Sequence, residues 1–253
     1  MKIISVFLSI ILAIILNVTS VAASEKSKQT AAYAGLDLTI YHLEGRRSER
    51  LVWLCEELDI PYQLKYKMGD LRGSMQTIRE LNPDMPVAPT VEIEGQIMVE
   101  SGAIMEYILD KYTDGKLMPA MDSPNYKYYL QWMHFAEGSF ASRVISDFVK
   151  NRIRMENKLP KPDIKPGQPR LVDTPKVLTF LDDFLGENAY FGGDVFSAAD
   201  IMMLFPTNLA QAWYVADLTP YKNLLAWREK VQARPAYIKT MEKARPNGIP
   251  PLK

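Results

Sequence analysis

The sequence predicts two units in one chain: a small mixed α/β domain followed by an all-helical domain. Three observations lead there. Between residues 37 and 114, strand and helix patterns alternate in the order β-α-β-α-β-β-α. The stretch GKLMPAMDSPN (115–125) then interrupts both patterns with two prolines and reads as a linker. Beyond it, over 126–253, strand signals vanish and helical periodicity remains.

The elements follow in order. LTIYHL (38–43) is rich in β-branched and aromatic residues and reads as the first strand. Gly45-Arg46-Arg47 makes a turn, and from Ser48 apolar residues recur at Leu51, Leu54, Cys55 and Leu58, giving a helix with one buried stripe. Ser48 is a candidate N-cap and Pro61 helps to end the helix. YQLKY (62–66) alternates as a strand, and residues 74–81 form a short helix broken by Asn82-Pro83. Residues 90–94 and 96–99 flank Gly95 as a hairpin, and Ser101 caps a helix reaching about Tyr112.

In the second unit, residues 126–157 read as one long helix bent near Gly138, followed by a proline-rich loop over 158–175. Further helices are expected over 177–186, 197–214, 223–234 and 235–245. Ser197 and Asp200 have the spacing of a capping box, a folding feature rather than a site. Tyr129, Trp132, Met133 and His134 lie on a helix, where such side chains more often form core than line a pocket.

Composition narrows the function. Thirty basic and thirty acidic residues cancel, which excludes the basic excess of a nucleic-acid binder. Two histidines and one cysteine argue against a His/Cys metal site, and a lone cysteine permits no internal disulfide. Cys55 falls on an apolar helix face and is expected to be buried and inert.

The N-terminus stands apart. Lys2 precedes an apolar run from Ile3 to Leu16, and Val21-Ala22-Ala23 offers small residues for cleavage before Ser24. Residues 1–23 therefore read as a signal peptide or a membrane anchor, short for a span, placing the protein outside the cytoplasm or on a membrane. The alternative is a start assigned too early, before a cytoplasmic protein. Residues 24–36 are small and polar, a flexible lead-in.

Three stretches carry a family resemblance: TIYHLEGRRSERLVWLCEELDIPY (39–62), VAPTVEIEGQIMVESGAIMEYI (87–108), and FSAADIMMLFP (196–206) with VQARPAYIKTMEK (231–243). They resemble, in that order, segments of glutathione S-transferases, and HFAEGSF (134–140) is similar to bacterial and fungal members. The resemblance implies a thioredoxin-like glutathione-binding domain, an all-helical second domain and a homodimer. It implies glutathione as co-substrate, with no cofactor and no metal.

It also implies a site. The Ala88-Pro89 bond is expected to be cis, with the Ala88 N–H and C=O offered to the peptide part of glutathione. Ser101 and the free amides of its helix would receive a carboxylate, and Glu100 the α-ammonium group. A thiol of pKa about 8.5 needs a partner that favours the thiolate. The turn after the first strand lacks the serine or cysteine that many relatives place there. Tyr41 and Ser48 are the two candidates for activation, and Arg46 and Arg47 would stabilise the thiolate by charge or bind a carboxylate. Pro86-Val87 stands where relatives often carry a glutathione-binding lysine. The implied reaction is conjugation of glutathione to a small hydrophobic electrophile. Its alternatives are glutathione-dependent peroxide reduction and a non-catalytic binding or scaffold role, since fold alone does not decide activity.

Overall fold

A computed structural model describes Tyr33, residues 35–160 and residues 172–248. The expected signal or anchor segment, almost all of the lead-in and most of the proline-rich loop lie outside the described residues.

The first domain holds a four-stranded sheet in the order β2-β1-β3-β4. Its strands are β1 (Leu38–Tyr41), β2 (Gln63–Lys65), β3 (Thr90–Ile93) and β4 (Gln96–Val99), each shorter than or equal to the sequence expectation. β1 and β2 run parallel through the helix α1 (Glu49–Leu58); β3 runs antiparallel to both β1 and β4. The helix α2 (Leu71–Leu81) starts earlier than expected because Asp70 caps it, accepting from Gly73 N. The helix α3 (Ser101–Tyr112) follows β4.

Register determines where the loops emerge. Tyr41 at the end of β1 faces Thr90 at the start of β3, and Thr90 faces Val99 at the end of β4. Three connections therefore leave the same end of the sheet: the turn after Tyr41, the Ala88-Pro89 segment before Thr90, and Glu100-Ser101 after Val99. Each is remote from the others in sequence, and the pairing alone collects them.

The second domain is helical throughout its described part: α4 (Tyr126–Phe135), a π-helical stretch (Ala136–Ala141), α5 (Ser142–Glu156), α6 (Thr174–Glu187), α7 (Ala198–Ala212), α8 (Lys222–Gln232) and α9 (Pro235–Ala244). The bend expected near Gly138 takes the form of this π-helical stretch, which divides the long helix. The Ser197–Asp200 capping box is present, and Asp200 is wholly buried. It accepts from Phe191 N (2.8 Å), Ser197 N (2.9 Å) and Trp227 Nε1 (2.8 Å), tying the start of α7 to the neighbouring loop and to α8. Tyr129, Trp132 and Met133 are core, while His134 faces solvent.

The two domains meet mainly through α1. Trp53 packs its ring edge against Tyr237 of α9 at 4.9 Å and lies 5.6 Å from Phe196. Glu57 holds Arg234 through paired bonds of 2.6 and 2.7 Å. Glu56, with a nearly buried side chain, receives Lys239 and Lys243. Cys55 is buried in this seam, and burial raises its thiol pKa, so it is not a nucleophile at neutral pH.

Candidate active site

The site is built at the sheet end defined above. The Ala88-Pro89 peptide is cis, and the Ala88 N–H and C=O carry no hydrogen bond among the described residues. Beside it, Glu100 is exposed with φ +73°, the left-handed side rarely held by a residue other than glycine. Glu100, not Ser101, occupies the cap position of α3, and Ser101 is the first helical residue. The Ser101 hydroxyl does not cap; it accepts from Arg50 Nη1 at 3.0 Å and is 2 % exposed. The amides of the first turn of α3 remain its anion-facing groups.

The Ser48 and Tyr41 hydroxyls are both engaged within the protein. The Ser48 hydroxyl is fully buried and makes no cap bond with α1. It accepts from Leu43 N at 3.1 Å and lies 2.8 Å from His42 Nδ1. His42 Nε2 faces the Ala244 carbonyl at 2.6 Å, and a carbonyl only accepts, so the proton belongs on Nε2. Nδ1 is then the acceptor of the Ser48 hydroxyl proton. This pair closes the bottom of the turn and pins it to α9. Tyr41 shares a sheet face with Lys65 and Glu92, its hydroxyl donating to Glu92 Oε2 at 3.3 Å. Neither side chain lines the cavity described below.

Of the arginines near the turn, Arg46 and Arg50 line that cavity and Arg47 does not. Arg46 projects from the turn with one bond, Nη1 to the Gly45 carbonyl at 3.0 Å. Arg47 donates through Nε to Glu137 at 2.8 Å. Arg50, which no sequence motif singled out, is fully enclosed; it pairs with Glu137 at 2.5 Å and donates to the Met202 carbonyl at 2.6 Å. Both Arg47 and Arg50 lie 5.1 Å from the centre of the Phe205 ring. Burial raises the Glu137 pKa, but the bonds from Arg47 and the charge of Arg50 outweigh it and hold the carboxylate ionised. The π-helical stretch carries Glu137, so the local widening of the helix coincides with the one carboxylate that bridges Arg47 and Arg50.

A cavity of about 530 Å3 opens at the turn, between α1, α7 and α9. Its walls are largely apolar, with Trp53, Leu204, Phe205, Trp213 and Tyr237, and Gly45 and Arg46 form its rim on the side of the sheet end. That size and lining suit a small organic molecule. Among the described residues no group of histidine, cysteine and carboxylates could hold a metal ion.

The sequence matches the glutathione S-transferase N-terminal domain family over residues 40–116 and the glutathione S-transferase C-terminal domain family over 169–235. It is 32% identical over 220 residues to glutathione S-transferase 3 of Schizosaccharomyces pombe, covering 84% of this chain and 90% of that one. The chain belongs to the glutathione S-transferase family.

Glutathione S-transferase 1 of Saccharomyces cerevisiae is 22% identical over 228 residues, covering 83% of this chain and 97% of its own. Among solved structures, a glutathione S-transferase from Actinobacillus pleuropneumoniae superposes with a TM-score of 0.67 at 22% identity, covering 84% of this chain and 94% of that one. A delta-class glutathione transferase of Nilaparvata lugens gives 0.63 at 25% identity, over 84% and 94% of the two chains. The thioredoxin-like first domain and helical second domain are thus those of the family. As a glutathione transferase, the protein uses glutathione as co-substrate and needs no further cofactor.

Proposed function

We propose that this transferase joins the glutathione thiolate to a small hydrophobic electrophile, using arginine charge rather than a hydroxyl to stabilise the sulfur. One observation carries the reading: the unpartnered Ala88 backbone, the first turn of α3 and Arg46 all lie at one end of the sheet, and the apolar cavity opens at the same turn. Glutathione would lie along Ala88-Pro89 with its α-carboxylate at the α3 amides and its ammonium at Glu100. Its sulfur would face Arg46, whose Nε and Nη2 have no partner among the described residues, with Arg47 adding to the field. A positive group beside the sulfur favours the thiolate over the thiol and stabilises it without taking a proton.

The test is the thiolate itself. Its ultraviolet absorbance in the complex, followed against pH, gives the pKa of bound glutathione. A value well below that of free glutathione in the wild type, restored upward in Arg46→Met, supports the reading. An unshifted thiol, or binding with no turnover of any aryl halide, would overturn it in favour of a binding role.

The remaining parts of the reading concern assembly and location. A homodimer follows the habit of the family, and light scattering on the purified protein decides it. Residues 1–23 would direct the chain to export or to a membrane surface, and the size and fractionation of the full-length protein in cells decide between these and a cytoplasmic location.

A further inference from the structure

The cavity beside the turn carries a charge pattern that a purely hydrophobic substrate would not use. Three guanidinium groups reach it, from Arg46, Arg50 and Arg245, against a single carboxylate, Glu49. Arg50 is matched outside the cavity by Glu137. Glu49 therefore serves both Arg46 and Arg245, and one of its oxygens is also taken by Gly45 N at 2.8 Å. Arg46 and Arg245 thus share the Glu49 carboxylate on the wall of a half-enclosed apolar chamber, where an anion would meet a guanidinium donor.

Arg245 is the group with capacity to spare. It follows α9, and its side chain is 22% exposed. Nε meets the Met241 sulfur at 2.9 Å and lies 3.5 Å from Glu49 Oε1, and Nη2 lies 3.5 Å from the Tyr237 hydroxyl. Nη1 has no partner among the described residues. The planar fork of a guanidinium matches a carboxylate in geometry as well as charge. Trp53, Phe205 and Trp213 line the same cavity as Arg245 and the turn, supplying its apolar wall.

We propose that the cavity selects electrophiles bearing a carboxylate on a hydrophobic body, with Arg245 as the specificity-determining residue. This rests on the transferase reading above. The acid group sits at Arg245, the ring lies on the aromatic wall, and the reactive carbon faces the sulfur at the turn. For an aryl chloride the thiolate sulfur forms the C–S bond, chloride leaves with the bonding pair, and the thiol proton has already passed to solvent. No oxidant or reductant enters.

The experiment compares a chloronitrobenzoate with its methyl ester at saturating glutathione, each kcat/KM divided by its uncatalysed rate. The acid is expected to be preferred roughly tenfold or more, the scale of one hydrogen-bonded charge pair. Arg245→Gln should collapse the acid-to-ester ratio toward one, while Arg245→Lys should keep part of it. Equal use of acid and ester by the wild type, or a ratio unmoved by Arg245→Gln, would overturn the proposal. Turnover of neither compound would remove the transferase reading instead. Equilibrium binding of an unreactive nitrobenzoate then decides the inference: binding weakened in Arg245→Gln upholds it, and binding that is absent or unchanged overturns it.

Discussion

Arg50 Nη1 donates to the Ser101 hydroxyl at 3.0 Å, joining the start of α1 to the start of α3 beneath the sheet end where glutathione is proposed to bind. The same guanidinium reaches the Met202 carbonyl of α7 at 2.6 Å and Glu137 of the π-helical stretch. One side chain thus fixes the spacing between the two ends of the proposed glutathione site and the helical domain. Its enclosure lowers the Arg50 pKa to about 10, which still leaves it charged at neutral pH.

Arg50→Met is expected to be strongly destabilising. It removes a buried charge whose partners, Glu137 and the Met202 carbonyl, cannot all turn to water. Breaking such a pair costs about 3 kcal/mol. For a chain of this size that corresponds to a fall in Tm of roughly 6–12 °C. Arg50→Met with Glu137→Gln should be less unstable than the sum of the single changes, and thermal melts of the four proteins measure the coupling.

Ser48→Ala and Tyr41→Phe should act on stability rather than on the thiol. Ser48→Ala leaves the Leu43 N–H without its acceptor and His42 Nδ1 without its donor, at about 1–3 kcal/mol. Tyr41→Phe loses one bond to Glu92, at about 1 kcal/mol. Arg46→Met should instead lower kcat/KM while moving Tm little. The opposite outcome, with Ser48→Ala abolishing turnover in a folded protein, would return activation to the serine.

The order of elements was legible because each has its own signal or breaker: β-branched and aromatic residues in β1, alternation in β2, an apolar stripe in α1, prolines at 119 and 124. The capping box was legible as a short motif, and the cis Ala88-Pro89 peptide through the family resemblance. The roles of the hydroxyls were not. Ser48 looks like a helix cap until His42, six residues earlier, turns inward to meet it and Ala244 across the domain boundary. Arg50 and Glu137 are separated by 87 positions, and no local pattern announces their pairing. Arg245 is likewise visible only once α9 has folded back onto α1.

Glu100→Gln should raise the KM for glutathione with little change in kcat. Glu100 is exposed, so the lost charge is partly screened, and a three- to tenfold rise is the expected scale, roughly that of a weakened charge-assisted bond. Steady-state kinetics with glutathione varied at fixed electrophile reads it. A change confined to kcat would place Glu100 on the reacting side of the sulfur rather than at the ammonium end.

His42 gives the fold a defined acid limit. Burial pulls its pKa from 6.5 to about 4; the Ala244 carbonyl partly opposes this, and Arg245 adds to it. The ring is packed edge-on against Tyr66 with centroids 4.9 Å apart, and Ser48 and Ala244 hold its two nitrogens. In the folded protein it is therefore neutral where the unfolded chain is already protonated. The unfolded state binds more protons between pH 6.5 and about 4, so stability is full above that window and is lost as pH falls through it. The expected loss from this one group, complete below the folded pKa, is on the order of 3 kcal/mol. Urea unfolding of the wild type and of His42→Gln across that window measures it. The glutamine, which cannot take up a proton, should be less stable at neutral pH and show a flatter profile below it. Parallel profiles for the two proteins would assign the acid sensitivity to other groups.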